Sequence, residues 1–242
     1  MSSTPEHRIA VVIPALNEEG NIGAVVAGLQ AQPIHDVIVV NNGSTDRTAL
    51  LAAEAGATVV DEPRQGYGWA CAAGSRQAID DGATIVAYID GDQSSLPSEI
   101  SRLTDPVASG VADLVLGSRT MGDIAAGAMG VHQRFGNWLT AAIMSQLYTL
   151  TVTDLGPYRA IRTDLLQDLD MSEMTFGWPT EMMVKSARRK ATILEVPVTW
   201  RNRGAGKSKV SGTIKGTVLS GWFLLSVTVK HAFRTTPPSL GR

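Results

Sequence analysis

The first half of the chain alternates short, almost uniformly apolar runs with segments of helical spacing, and this rhythm constrains the fold more than any other feature. The apolar runs predict strands within RIAVVIPA (8–15), DVIVVN (36–41), ATVVDEP (57–63), ATIVAYID (83–90) and ADLVLGSR (112–119). Strands this apolar are covered on both faces, which is typical of parallel sheets with crossover helices. We therefore predict an α/β fold whose mostly parallel central sheet is flanked by helices.

The second half predicts helices within 132–150 and 176–189, a loop, a short strand and a helix in turn within 153–169, and another strand within 191–200. No repeat or clear linker divides the 242 residues, and a chain of this length can bury a substantial core. We expect one domain, with a nucleotide-sugar-binding half (8–120), an acceptor half (121–215) and a C-terminal apolar helix and tail (216–242).

Composition excludes several classes of function. The net charge of −2 gives no overall reason to expect nucleic acid as a partner, and the single cysteine, Cys71, excludes an intramolecular disulfide. The N-terminus lacks the pattern of a signal peptide, and no segment reaches the roughly 20 apolar residues of a spanning helix. We expect a cytoplasmic protein whose membrane contact is limited to peripheral association at the inner face.

The predicted strands end in polar or glycine-rich segments: PALNEE, NNGSTD, DEPRQGYG, DGDQSS and GSR. Strand packing does not require such residues. Ligands of open α/β sheets bind beyond the carboxyl ends of the strands. We therefore interpret these segments as parts of one site.

Two carboxylates in YIDGDQSS carry the strongest chemical signal. Asp90 and Asp92 flank a glycine at the end of a predicted buried strand, and like charges this close raise each other's pKa. A divalent cation relieves the repulsion, and hard oxygen ligands suit Mg²⁺ or Mn²⁺. The plainer alternative is an ordinary turn, which Asp-Gly-Asp also favours.

Several motifs together resemble the inverting family 2 glycosyltransferases, which have the single-domain nucleotide-sugar-binding fold called GT-A. Within that family the chain is most similar to the dolichyl- or polyprenyl-phosphate sugar synthases. The resemblance covers roughly residues 8–215 and includes VVIPALNEEGNI, VIVVNNGSTDRT, YIDGDQSSLPSEI, LVLGSR, QRFGN, TDLGPYRAI, FGWPTEM and EVPVTWRNRGAGKSKVSG.

The resemblance implies roles on the donor side. Pro14, Ala15 and Glu18 match positions that line the nucleobase and ribose pocket, although Glu18 also suits the first turn of a helix. Asp90 and Asp92 match the pair that binds the metal and the diphosphate. Arg119 matches a position near the sugar or diphosphate, where a surface salt bridge is the alternative.

Asn41 and Asn42 stand where the family commonly has two aspartates, the second of which faces the base. An amide offers both an acceptor and donors, whereas a carboxylate only accepts. We therefore expect Asn42 to favour UDP- or dTDP-sugars over GDP-sugars. NNGSTD also suits a simple turn and helix start.

On the acceptor side, the resemblance points to phosphate-binding residues in two segments: Arg134, Arg203, Lys207, Ser208 and Lys209. The alternative for the second segment is a solvated basic loop. A phosphate acceptor is anionic near neutral pH and needs no base, whereas a hydroxyl acceptor would need Asp154 or Glu181 as the base.

We therefore predict a metal-dependent inverting glycosyltransferase that moves a hexose from UDP or dTDP to a phosphate-bearing acceptor, with polyprenyl or dolichyl phosphate as the favoured class. Two alternatives remain: a glycosyltransferase with a hydroxyl acceptor, and a nucleotide-sugar-binding protein without catalytic activity. The apolar stretch 217–229 suits an interface, either with a membrane surface or within a homo-oligomer.

Overall fold

The computed structural model describes residues 7–148 and 152–206 of the chain. The strands form one seven-stranded sheet: β1 (Ile9–Ala15), β2 (Asp36–Asn41), β3 (Thr58–Asp61), β4 (Ile85–Tyr88), β5 (Leu114–Ser118), β6 (Arg159–Arg162) and β7 (Ile193–Pro197). The α-helices are α1 (Ile22–Gln30), α2 (Thr48–Glu54), α3 (Tyr67–Asp80), α4 (Ile100–Ala108), α5 (Val131–Tyr148), α6 (Thr163–Asp168) and α7 (Trp178–Arg188).

The sheet has the strand order β3-β2-β1-β4-β6-β5-β7. All neighbouring pairs are parallel except those of β6, which runs antiparallel to both β4 and β5. The predicted α/β fold with a mostly parallel sheet is confirmed. The sequence did not predict that one strand would be antiparallel. Because of this direction, β6 starts at the edge where β4 ends, with Arg159 opposite Tyr88.

Two apolar layers cover the sheet, one on each face. Along β1, Ala10 and Val12 point into one layer, while Val11 and Ile13 point into the other. Helices α3, α5, α6 and α7 contribute to the first layer, and α1, α2 and α4 to the second. This alternation explains why the strand sequences are apolar at nearly every position.

Helix α3 lies very close to the sheet. A Cβ at Gly74 would come within 2.4 Å of Val12 Cγ1 and 2.9 Å of Val40 Cγ2, so the small residue permits this approach. Cys71, on the same helix, is fully buried. The close packing holds the middle of α3 against β1 and β2.

Strand β6 belongs to the second half of the sequence yet lies between β4 and β5 of the first half. The two halves therefore share one sheet. The single-domain interpretation remains a prediction for the whole chain, because residues 207–242 lie outside the described part. Within that part, no helix combines the length and the apolar character needed to cross a membrane.

Candidate active site

The polar strand ends meet at one edge of the sheet. The loops after β1 and β2 are joined by hydrogen bonds, since the Thr45 N–H donates to Asn17 Oδ1 (2.7 Å) and the Glu18 N–H donates to Thr48 Oγ1 (2.7 Å). The segment after β7 reaches the loop after β4, where the Arg201 N–H donates to the carbonyl of Ser94 (2.8 Å). Two of the predicted segments, PALNEE and NNGSTD, are therefore in direct contact, and DGDQSS contacts the chain after β7; that all five segments form one site remains a prediction.

Glu18 lies in the loop after β1, next to Pro14 and Ala15 at the end of that strand. Its carboxylate is buried, accepts a hydrogen bond from Asn21 Nδ2 (2.8 Å) and pairs with the guanidinium of Arg203. A nucleobase or ribose can therefore reach Glu18 only beside or in place of Arg203. That these three residues line the donor pocket remains a prediction.

The amide of Asn42 contacts the backbone of the loop between β3 and α3. Nδ2 donates to the carbonyls of Glu62 (2.9 Å) and Arg64 (2.8 Å), while Oδ1 accepts from the Gly66 N–H (2.8 Å). Both donors are thereby used, so Asn42 has none left with which to read a base. We revise its role accordingly: Asn42 holds loop 62–66, and it gives no support to a preference for UDP over GDP.

This geometry also explains why position 42 carries an amide. A carboxylate there would face the two carbonyl oxygens of Glu62 and Arg64 with no proton to share. Neighbouring Asn41 is bound more superficially, with Nδ2 donating to Asp61 Oδ1 (2.7 Å) and Oδ1 accepting from the Ser44 N–H (3.1 Å). Asn41 and Asn42 thus hold neighbouring loops in position at the site.

We expect Asn42→Asp to lower the free energy of unfolding by about 1–3 kcal/mol, the cost of leaving buried polar groups unsatisfied. Asn202→Asp is the matched control, because Asn202 donates one exposed hydrogen bond to a carbonyl, that of Ala126 (3.1 Å), and should change stability by less than about 0.5 kcal/mol. Urea unfolding measures both. Equal stability of Asn42→Asp and the wild type would contradict the loop-holding role.

Asp90 and Asp92 follow β4 and differ in their partners. Asp92 Oδ1 accepts from the Ser94 N–H (3.0 Å), and its Oδ2 accepts from Arg203 Nη1 (3.0 Å). Asp90 accepts no hydrogen bond from the residues that the structure describes. Burial and, to a smaller extent, the negative charge of Asp92 together raise the pKa of Asp90 to about 7.

This pair fits a hard divalent cation. Asp90 is a desolvated carboxylate without a hydrogen-bond donor, next to a second carboxylate, and a cation would satisfy both. Residues 7–148 and 152–206 contain no group of three or more His, Cys, Asp or Glu able to hold a metal. Substrate oxygens and water would complete the shell, as is common for Mg²⁺.

We expect Asp90→Asn to raise the melting temperature of metal-free protein at pH 8 by about 2–4 °C, the scale of 1 kcal/mol in a chain of this size. Because the pKa of Asp90 is raised from 3.8 to about 7, the carboxyl contributes its full stability below about pH 4, and this contribution is lost progressively as the pH rises to about 7. An amide stays neutral throughout, so the gain from Asp90→Asn should be largest above about pH 7, about half as large at pH 5.5 and absent below about pH 4.

Melting curves in EDTA and in Mn²⁺ measure this effect. Mn²⁺ should stabilise the wild type at pH 8 but not Asp90→Asn. Asp105→Asn, the same change at an exposed position on α4, serves as the control. A melting temperature of Asp90→Asn below that of the wild type at both pH values would contradict a strained carboxylate.

Arg119 follows β5 and is fixed by Asp154. Asp154 Oδ2 accepts from the backbone N–H and Nε of Arg119 (both 2.7 Å), and Oδ1 accepts from Nη2 (2.7 Å). The ring of Trp200 lies 4.9 Å from the guanidinium carbon. Burial would raise the pKa of Asp154, but the hydrogen bonds and charge of Arg119 outweigh it and hold that pKa below its ordinary value.

Asp154 is therefore suited to positioning Arg119 and poorly suited to accepting a proton. Its loop is itself held from several sides. The Glu195 carboxylate accepts from the N–H groups of Thr153 (2.8 Å) and Asp154 (3.0 Å). Asn137 Oδ1 accepts from the N–H of Leu155 (2.9 Å). The Arg159 guanidinium donates to the carbonyl of Gly156. This support points to a precise orientation of the Arg119 guanidinium.

Glu181, the other predicted base candidate, is fully buried on α7. Its Oε2 accepts from the N–H groups of Ser172 (2.9 Å) and Glu173 (2.7 Å), and Oε1 pairs with Lys185 Nζ (2.9 Å). Burial would raise the pKa of Glu181, but these partners together lower it. Glu181 thus holds the loop before α7, and this engagement argues against a base role.

The predicted phosphate-binding residues are only partly described. Arg134 is exposed on α5, whereas Arg203 is largely buried against Asp92 and Glu18. Lys207, Ser208 and Lys209 lie outside the described residues. A clamp built from both segments therefore remains a prediction.

Sequence reasoning missed three residues that build the site: Arg159, Glu195 and Trp200. Arg159 is fully buried at the start of β6 and donates to the carbonyls of Gly156 and Pro179 (2.7 Å to the latter). A charged residue at the start of the short strand RAIR, directly before Ala160 and Ile161, is a usable signal, because a buried charge needs partners. Trp200 and Glu195 carried no comparable signal beyond their place in EVPVTW.

Comparison with known proteins agrees with this geometry. Residues 10–170 match the model of Glycosyl transferase family 2. An uncharacterized glycosyltransferase of Mycobacterium tuberculosis (strain H37Rv) is 37% identical over 216 residues, which are 88% of this chain and 94% of that protein. A dolichyl-phosphate hexose transferase of Haloferax volcanii is 32% identical over 231 residues, 93% of this chain and 96% of that protein.

Among solved structures, a similar one is glucosyl-3-phosphoglycerate synthase from Mycobacterium tuberculosis, in complex with Mn²⁺, UDP and phosphoglyceric acid. The TM-score is 0.75 at 22% sequence identity, and the alignment covers 95% of this chain and 80% of that one. At this identity the likeness establishes the GT-A fold.

Proposed function

The chain belongs to glycosyl transferase family 2 and is a glycosyltransferase, and we propose that it moves a hexose from a UDP-sugar to a phosphate-bearing acceptor of the polyprenyl or dolichyl phosphate class. The observation that carries this proposal is the Asp90–Asp92 pair at the end of β4, beside an Arg119 fixed by Asp154. The choice of UDP is supported by the structural neighbour, which was solved with UDP. It no longer depends on Asn42, whose amide donors bind the backbone.

We assign separate roles to the described residues in a single displacement that inverts the anomeric carbon of the donor sugar. Asp90 and Asp92 would hold Mn²⁺ or Mg²⁺, which when bound neutralises charge on the leaving nucleoside diphosphate. Arg119 is oriented in advance by three hydrogen bonds to Asp154 and lends a second positive charge to the same group. Trp200 covers one face of that guanidinium and limits its motion.

The state of the two base candidates favours a phosphate acceptor over a hydroxyl acceptor. Asp154 and Glu181 each bind several donors, and the pKa of each carboxyl is lowered. A phosphate monoester has a second pKa of about 6 and is already nucleophilic near pH 7. Such an acceptor needs positive charge to hold it, a role that we assign to Arg134 and Arg203. The name of the Haloferax relative points to the same acceptor class.

A donor-by-acceptor matrix tests the proposal. UDP-glucose, dTDP-glucose and GDP-mannose are each incubated with a polyprenyl phosphate, with a glycerol-type hydroxyl acceptor, and alone, in Mn²⁺ or in EDTA. We expect release of UDP coupled one-for-one to a glycosylated lipid phosphate, only in Mn²⁺. Transfer to hydroxyl acceptors alone would overturn the acceptor assignment, and a strict requirement for GDP-mannose would overturn the donor assignment.

A further inference from the structure

Arg203 joins two carboxylates that come from different strand ends. Its Nη1 lies 3.0 Å from Asp92 Oδ2, and its Nη2 pairs with Glu18 Oε1. Only 18% of the Arg203 side chain is exposed, so the guanidinium lies inside the site. Both carboxylates belong to the donor side, where the proposed function places the nucleotide and the cation.

The backbone that follows Arg203 is also docked. The Gly204 N–H donates to the carbonyl of Asp92 (3.1 Å), and Asn21 Nδ2 donates to the carbonyl of Ala205 (3.1 Å). Asn21 Oδ1 in turn accepts from Gln93 Nε2 (3.1 Å), so the two loops that receive the segment are tied together. Residues 203–205 are thus seated by backbone contacts as well as by charge.

The fit depends on a glycine at position 204. A Cβ there would come 2.6 Å from Gln93 Nε2 and 2.8 Å from Asn21 Oδ1, closer than real contacts allow. A larger residue would push aside the side-chain amides of Gln93 and Asn21, which connect the two loops and hold the segment. The sequence is therefore built to let residues 203–205 lie against the loops after β1 and β4.

We propose that residues 203–205 form a latch that occupies the donor site before the cation arrives, and that cation binding displaces Arg203. The inference rests on the proposed function, because it assumes a cation at Asp90 and Asp92. Both oxygens of Asp92 are already engaged, Oδ1 by Ser94 and Oδ2 by Arg203. A divalent cation bound to Asp92 would lie close enough to the Arg203 guanidinium for the two positive charges to repel each other. The cation and the guanidinium therefore compete for the same carboxylate.

Displacement gives the latch a role in the order of binding. While Arg203 pairs with Asp92 and Glu18, it has no free face for an acceptor phosphate. Once the cation and nucleotide have taken these carboxylates, the guanidinium is released toward the acceptor side. The latch therefore favours donor binding first and acceptor binding second, which limits capture of the acceptor by an enzyme without a donor.

Direct titration with Mn²⁺ alone tests the latch without relying on activity. Bound Mn²⁺ is measured by the loss of the free-ion signal in electron paramagnetic resonance, for the wild type, Arg203→Ala, Gly204→Val and Arg201→Ala. Gly204→Val unseats the segment without changing its charge. Arg201→Ala removes a charge from the same segment, and the Arg201 side chain is exposed.

We expect Arg203→Ala and Gly204→Val each to bind Mn²⁺ about tenfold more tightly than the wild type, the scale of one charge-assisted hydrogen bond. Arg201→Ala should match the wild type. Equal affinity of Arg203→Ala and the wild type, or equal tightening in Arg203→Ala and Arg201→Ala, would overturn the latch and leave the metal site standing. No Mn²⁺ binding in any form would overturn the metal site and the latch together.

Discussion

Asp92→Asn should reduce turnover by about 10³-fold, equivalent to about 4 kcal/mol of transition-state stabilisation. The substitution removes one of the two carboxylates at the end of β4 and with it the charge that holds a cation against the leaving diphosphate. The fold should persist, because asparagine can still accept from the Ser94 N–H that contacts Asp92 Oδ1 (3.0 Å).

Initial rates with UDP-glucose and a polyprenyl phosphate measure the loss. Circular dichroism and melting curves show whether the variant is folded. Asp105→Asn, an isosteric change at an exposed residue of α4, should retain full activity. Wild-type turnover in Asp92→Asn, or undiminished wild-type turnover in EDTA, would be incompatible with a metal at this pair.

Asp154→Ala should lower the free energy of unfolding by about 3–5 kcal/mol, because it leaves the Arg119 guanidinium without its buried counterion. The Asp154 side chain is fully buried and that of Arg119 is 16% exposed. Replacing both residues by apolar ones, as in Arg119→Met with Asp154→Leu, should recover most of the stability. Neither form should recover turnover, since both lack an oriented Arg119.

The exposed pair Arg8–Asp36 is a matched control, because it has the same two-bond geometry, with distances of 2.9 and 2.7 Å. Its arginine side chain is 44% exposed, so Asp36→Ala should cost less than about 1 kcal/mol. Urea unfolding of the wild type and these three variants makes the comparison. A double variant no more stable than Asp154→Ala would argue that the pair is not the source of the lost stability.

Sequence patterns were sufficient to predict the layers of the fold because parallel strands covered on both faces are apolar at nearly every position. They did not predict the direction of β6. The amino-acid sequence of a short strand such as RAIR does not indicate its direction in the sheet. Only the pairing of Arg159 with Tyr88 shows that this strand is antiparallel. This direction brings the loop that carries Asp154 back to the functional edge.

The site was predictable where residue chemistry was local and not where it depended on contacts between distant loops. Asp90 and Asp92 stand two positions apart, so their mutual repulsion is visible in the sequence. The role of Asn42 depends on the backbone carbonyls of Glu62 and Arg64, which no pattern reveals. The same holds for Arg203, predicted at the acceptor side but paired with Asp92 and Glu18.

The central claim is that Asp90 and Asp92 jointly hold the cation that binds the nucleoside diphosphate. A crystal grown with Mn²⁺ and UDP, with data collected above the manganese absorption edge, tests this most directly. The account predicts an anomalous peak about 2.1 Å from a carboxylate oxygen of each of Asp90 and Asp92, with diphosphate oxygens in the same shell. A diphosphate bound elsewhere, or a peak remote from both aspartates, would contradict it.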